Sequence, residues 1–359
     1  MSEHQPRNSS PALGVLIVRA DAGQDMGSGH VMRCLALAQG WMAQGGRVVF
    51  VLSSGVPLLE ERLRAEGIQV LANAAVPGSL ADAHALRQLA EASCATWVVV
   101  DGYHFGTEYQ AAISRGPAGL LCVDDYGHAG QYTCDLVLNQ NSYARETYYR
   151  DRSDHTRLLL GAEFICLRKE FWGSRGQAHV IRNPATRLLI SFGGTDSSNT
   201  GLAVVRALEA AAGAPLEVVV VAGGGNAHVP ALRRAVVDSR HAVRLEHNVA
   251  NMVPLFEWAD IALTAGGSTC WELLFLGVPS LVAVLADNQL PLAKSLAGHG
   301  LAVDLGSASG AAPLQWVMEV RRLLADSDRR GDVSRRGRAF VDGFGVDRVL
   351  EQMRLPLTR

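Results

Sequence analysis

The chain reads as an α/β protein of two Rossmann-like, doubly wound domains facing each other across an interdomain cleft. Three observations carry that expectation. At 359 residues it exceeds one comfortable core, and short β-branched runs alternate with stretches of helical period along most of its length. The alternation breaks once, near the middle, at FWGSRGQAHVIRNPAT, where Gly, Pro and mixed charge read as a linker over 171–186. In order, strands are expected at 13–20, 47–53, 68–71, 96–101, 119–124 and 135–139, then at 187–192, 216–222, 243–247, 261–264, 280–285 and 302–305. The division that follows is a disordered tail at 1–12, a first domain at 13–170, the linker, a second domain at 187–334 and a helical segment at 335–359. That last segment is expected to pack near the linker or back onto the first domain.

Composition excludes several functions. With 33 basic and 35 acidic residues the net charge is −2, and no basic stripe argues for nucleic acid. The six cysteines are scattered through mostly apolar stretches without a Cys-x-x-Cys pair, which points to free thiols rather than disulfides or zinc. The polar start MSEHQPRNSSPA lacks an apolar signal region, and no apolar run reaches the ~18 residues of a membrane span. A cytoplasmic protein without membrane insertion is expected, a monomer or else a dimer.

The first informative motif is MGSGHVMRC at 26–34, between the apolar run LGVLIVRAD, which ends in Asp21, and a helix-like stretch. Gly27 and Gly29 make a tight turn and His30 falls in the first helical turn, with Arg33 one turn further. Backbone N–H groups and the helix dipole there face an anion while the imidazole faces whatever is bound. A plain glycine turn with a surface histidine is the alternative. GSGHVM lacks the third glycine of the dinucleotide fingerprint and the Lys-Ser/Thr of a phosphate loop.

The second half repeats strand–glycine turn–helix three times. ISFGGTDSSNTG, with Gly193 and Gly194, suits phosphate binding or close domain packing, whereas VVVVAGGGN reads better as a plain turn. In AGGSTCWELLFLGVP, Gly266, Gly267, Ser268 and Thr269 let a phosphate approach a helix N-terminus, and Glu272, one turn on, has the reach for a ribose diol. A capping box closed by Glu272 is the competing reading. Carboxylates directly after apolar strands make Asp101, Asp124 and Asp125 candidates to position a sugar hydroxyl, a water or His30, with Tyr103 beside the first; helix caps and loop anchors are the alternatives. Asn288 and Gln289 offer neutral donors and acceptors for sugar hydroxyls. The single Asp-x-Asp, at Asp326 and Asp328, lies in an arginine-rich helical stretch, so neither a metal nor another cofactor is expected.

The series GSGHVMRCLALA, VDGY, DD, CDLVLNQN, LLLGAEFICLRKEF, ISFGGTD, AGGSTCWELLFLGVP and DNQ resembles the UDP-2,4-diacetamido-2,4,6-trideoxy-β-L-altropyranose hydrolases of pseudaminic acid biosynthesis, from about residue 18 to 301. More weakly it resembles the lipid II-forming N-acetylglucosaminyltransferases. The resemblance implies a GT-B architecture, with the reacting sugar held by the N-terminal domain and UDP by the C-terminal one. It also implies His30 as the base that activates water at the anomeric carbon with inversion and without metal. Gly193, Gly194 and the turn from Gly266 to Thr269 with Glu272 would take the nucleotide; Asp21, Gly27, Gly29, Arg33, Asp101, Tyr103, Asp124, Asp125, Asn288 and Gln289 would line the sugar. YGHAGQYT, between Asp125 and Cys134, departs from the family's Arg-x-His arrangement. A glycosyltransferase using a UDP-amino sugar and a non-catalytic sugar-nucleotide binder stay open beside the hydrolase.

Overall fold

The computed structural model describes residues 13–23, 27–53, 57–308 and 312–358; the expected tail at 1–12 lies outside them. The first domain runs β1 (Val15–Ala20), α1 (Gly29–Ala43), β2 (Arg47–Leu52), α2 (Pro57–Ala65), β3 (Gln69–Ala72), α3 (Leu80–Ala92), β4 (Ala95–Asp101), α4 (Thr107–Ser114), β5 (Gly119–Val123), β6 (Leu136–Asn139) and β7 (Arg157–Leu160), followed by the one-turn α5 (Lys169–Trp172). The second runs β8 (Arg187–Ser191), α6 (Thr200–Ala210), β9 (Glu217–Ala222), α7 (Val229–Val237), β10 (Ala242–His247), α8 (Val253–Trp258), β11 (Ile261–Ala265), α9 (Thr269–Leu276), β12 (Ser280–Val284), α10 (Leu290–Gly298), β13 (Val303–Ser307) and α11 (Ala312–Ala325). Two more helices, α12 (Ser327–Phe340) and α13 (Gly345–Arg354), end the chain.

All sheet pairings between these strands are parallel, in the orders β3-β2-β1-β4-β5-β6-β7 and β10-β9-β8-β11-β12-β13. Strands of such sheets are covered on both faces, which is why β1, β5, β11 and β12 are mostly apolar and buried at every position. Leu16 and Val18 face a core built with α1, whereas Val15 and Ile17 face α3 and α4. In both sheets the winding reverses between two central strands, β1/β4 and β8/β11, and loops leaving the carboxyl ends there diverge to open a crevice.

The domains meet earlier than the sequence suggests. Phe171 is not in a linker but fully buried against Phe256 and Phe275 of the second domain. The crossing itself lies at residues 164–167, where Phe164 and Cys166 pack on the first domain's core while Ile165 and Leu167 pack on the second's. Alternate side chains of one extended segment thus serve two cores. The boundary expected at 334/335 falls inside α12, which packs on α9, and only α13 returns to the first domain, burying Val346, Val349, Leu350 and Met353 against α1. The chain turns back at Gly345, where a Cβ would stand 2.2 Å from the carbonyl oxygen of Ile165. The two crossings therefore touch, backbone on backbone.

Because neither backbone has a flexible end that can move aside, Gly345→Ala should lower the unfolding free energy by about 1–3 kcal/mol. Urea titration checks this, and an unchanged midpoint would show the return crossing to be loosely held.

Candidate active site

The loop after β1 leads through Gly27, whose φ of +72° favours glycine, into α1. Ser28, the residue before α1, makes no side-chain cap, so the helix N-terminus is left free to face the cleft. His30 lies in the first turn and Arg33 one turn on, and both point at Asp101, the last residue of β4. Asp101 Oδ1 lies 2.6 Å from His30 Nδ1, and Arg33 reaches both carboxylate oxygens, through Nε at 2.6 Å and Nη2 at 2.7 Å. Burial works against a charge on Asp101, but Arg33 and His30 outweigh it and hold the carboxyl well below the usual range. An ionised carboxylate only accepts, so Nδ1 of His30 carries the hydrogen and Nε2 of the neutral ring keeps a lone pair. Arg33 Nη2 also lies 3.2 Å from Nδ1; two donors do not bond, and they share the carboxylate instead.

Arg33 continues to Asp125 at 2.8 Å, which also accepts from the Tyr103 hydroxyl at 2.8 Å and the Asn141 amide at 2.7 Å. Burial and Asp125 raise the Tyr103 phenol, so it stays protonated and donates. Its ring meets His30 edge-on at 5.0 Å, and Asn288 of the second domain stands near its hydroxyl. Across the cleft, the Ser142 and Ser295 hydroxyls lie 2.8 Å apart, and Gly194 approaches Ser28 so closely that a Cβ there would be 3.3 Å from its Oγ.

The second domain's glycine turns differ in kind. Asp196 of ISFGGTD accepts from the Thr200 and Gly201 amides at 2.8 and 2.9 Å, so a carboxylate of the chain itself occupies the N-terminus of α6. Gly223 is a packing glycine, since a Cβ there would lie 2.4 Å from the Gly194 oxygen. The α9 turn is open at Gly267, which has nothing within 4 Å of a Cβ position, while Gly266, expected to admit a phosphate, is a packing glycine whose Cβ would lie 3.0 Å from the Gln289 oxygen. Ser268 forms no side-chain cap and Glu272 closes no capping box. Glu272 accepts instead from Arg168 Nη2 at 2.7 Å, while Arg168 Nη1 reaches Glu170 at 2.8 Å. Between the domains, a small pocket is lined by Arg33, Gln140 and Arg168 on one side and Ser268, Trp271 and Glu272 on the other.

Two expected sugar ligands are engaged elsewhere. Asp124 is 1 % exposed and takes the amides of Tyr126 and Gly127, the hydroxyls of Tyr132 and Tyr149 and the ring of His128, so it anchors the loop after β5. Asp21 is buried with Arg19 and the Ser53 amide. Gln289 accepts from the Leu285 amide, leaving Asn288 as the exposed member of the pair. All six cysteines are free, five of them buried; burial first, then Asp101, raises the Cys34 thiol beside the carboxylate, so it is no nucleophile. Among the described residues no group of three or more His, Cys, Asp or Glu is placed to hold a metal ion, and no helix is long and apolar enough to cross a membrane.

Comparison with known proteins agrees with this architecture. No protein-family model matches the chain. It is 27 % identical over 199 residues to the spore coat polysaccharide biosynthesis protein SpsG of Bacillus subtilis strain 168, a match covering 54 % of this chain and 57 % of that protein. The chain thus spans little more than half the length of that curated relative. Among solved structures, Acinetobacter baumannii MurG superimposes with a TM-score of 0.64 at 14 % identity, over 94 % of this chain and 98 % of that one. The calicheamicin glycosyltransferase CalG4 gives 0.60 at 17 %, over 94 % and 98 %, and the S. aureus MnaA–UDP complex 0.64 at 12 %, over 94 % and 95 %. The fold is GT-B.

Asp101→Asn would leave Arg33 and His30 without the buried negative charge they share and should cost about 3–5 kcal/mol of stability at neutral pH. Because the native carboxyl is held below its unfolded value, its contribution is complete above the ordinary carboxylate range and is lost as pH falls through it. The gap between wild type and variant should therefore narrow below about pH 4 in urea titrations; a gap independent of pH would contradict the charge-based account.

Proposed function

We propose that the chain is an enzyme that breaks the bond between the anomeric carbon of a UDP-linked amino sugar and its diphosphate, with His30 as the base. The observation that supports this most is the His30–Asp101 pair. A buried carboxylate fixes the imidazole so that Nε2 is free to accept a proton, on the helix facing the open α9 turn. As a hydroxyl oxygen bonds to C1, its proton passes to Nε2; the C1–O bond breaks and its electron pair leaves with UDP. One displacement inverts C1. Charge developing on the diphosphate would meet the uncapped α9 N-terminus and the unobstructed backbone at Gly267, donors worth ~3 kcal/mol each when aimed at the transition state. Glu272 would take the ribose hydroxyls, and the UDP bound to MnaA on the same fold lends this support.

Two nucleophiles fit. The likeness to the glycosyltransferase CalG4 supports a hydroxyl of an acceptor, and the match to SpsG supports a place in surface polysaccharide synthesis. Water, which would make the chain a hydrolase releasing a free 2,4-diacetamido-2,4,6-trideoxy sugar for nonulosonic acid synthesis, is supported by the order of motifs. The closely apposed cleft, bridged by Ser142–Ser295, also suits a small nucleophile.

Incubation with UDP-2,4-diacetamido sugars and UDP-N-acetylglucosamine, followed by NMR, tests the reading. UDP and inverted free sugar in buffer alone supports water, UDP release only with an added glycan acceptor supports transfer, and no release in either case overturns the proposal. His30→Ala should lower kcat by about 10²–10⁴ while UDP affinity stays within a few fold. Glu272→Ala should weaken UDP binding by about 1–3 kcal/mol in calorimetry, and an unchanged affinity would remove Glu272 from the nucleotide site.

A further inference from the structure

The loop that follows β5 is built more firmly than a surface connection requires. Its anchor, Asp124, sits at the strand end with both oxygens engaged, taking the Tyr126 amide at 2.7 Å, the Gly127 amide at 2.6 Å and the Tyr132 and Tyr149 hydroxyls at 2.6 and 2.9 Å. The ring of His128 folds back onto the same carboxylate. Burial opposes the charge on Asp124, but His128, Tyr132 and the Gly127 amide outweigh it and hold the group ionised. What this anchoring presents to solvent is an aromatic ring: Tyr126 is 49 % exposed. Among the described residues its hydroxyl has no hydrogen-bond partner, and its ring lies 5.2 Å from that of Tyr103 and 6.1 Å from that of His128. Tyr103 in turn lies 5.0 Å from His30. Rings thus run from the base through Tyr103 to Tyr126, which is half exposed and held by its backbone.

We propose that Tyr126 is a stacking platform for the pyranose ring of the UDP-linked sugar. A sugar presents polar hydroxyls at its edge and a patch of C–H groups on its face. A rigid aromatic face beside hydrogen-bonding Asp125, Asn141 and Asn288 matches both surfaces, because the ring removes the C–H patch from water while the polar groups serve the edge. The Tyr126 backbone is already held by Asp124, so only the ring's own rotamer freedom is lost when the sugar arrives. The inference rests on the reading of the cleft as a UDP-sugar site and names a specificity residue within it.

Calorimetry with UDP and with UDP-hexosamines carrying one or two acetamido groups tests it. Tyr126→Ala should weaken UDP-sugar binding about 3- to 10-fold and leave UDP itself unchanged, whereas Tyr126→Phe and Tyr126→Trp should bind the UDP-sugar as wild type does. Equal UDP-sugar affinity in wild type and Tyr126→Ala overturns the platform and leaves the site reading intact. A loss in Tyr126→Phe as large as in Tyr126→Ala also overturns it, by assigning the effect to the hydroxyl. If wild type binds none of these UDP-sugars, the platform and the reading of the cleft both fail.

Discussion

The carboxylate of Asp101 is the point on which the candidate site turns. It is completely buried at the end of a central strand, where an isolated charge would be untenable, so the fold must bring it partners. Helix α1 does so with side chains one turn apart, His30 and Arg33, and with the Cys34 thiol at 3.3 Å. A buried ion pair of this kind adds little net stability over an apolar packing, because desolvation of both charges offsets their attraction. What it does supply is geometry: the imidazole has one orientation and one tautomer compatible with the carboxylate. Through Arg33 the same constraint extends to Asp125, Tyr103 and Asn141, so a single strand-end residue orders a whole wall of the cleft.

The parallel sheets explain why that wall faces anything. Each reverses its winding once, and the loops bearing His30, Asp101 and the α9 turn all leave carboxyl ends at those reversals. The relation between the domains rests on two crossings in contact, the segment at 164–167 that serves both cores and the return at Gly345. Arg168, one residue past the first crossing, pairs with Glu272, so the outgoing crossing is tied directly to the candidate nucleotide turn.

Glycine-rich turns after β8, β9 and β11 look alike as strings and differ in what their small residues permit. After β8, Asp196 fills the helix N-terminus with a carboxylate that the chain supplies itself, and at Gly223 the absent side chain makes room for another backbone. Only after β11 do an uncapped helix and an unobstructed glycine coincide. An anion needs free donors and space together, which separates that turn from its neighbours.

By itself the sequence determined the two sheets, the positions along the chain of all but one of their strands and the clustering of His30, Asp101, Asp125 and the α9 turn at strand ends. Continuous β-branched runs and glycine turns are local signals, and a parallel sheet translates them into position. It was silent on β7, whose RLLL is too short to stand out, and it placed the linker at a polar stretch although the true crossing is apolar and shared by two cores. The separate fates of Asp124 and Asp125 were also beyond it. Adjacent and chemically identical, one was drawn inward by two tyrosine hydroxyls and three amides while the other was left to Arg33 and Tyr103. Tyr126, His128 and Arg168 lay within recognisable motifs, but their roles depend on neighbours distant in the chain. Which carboxylate anchors a loop and which one faces the cleft is decided by those partners, and only the tertiary structure brings them together.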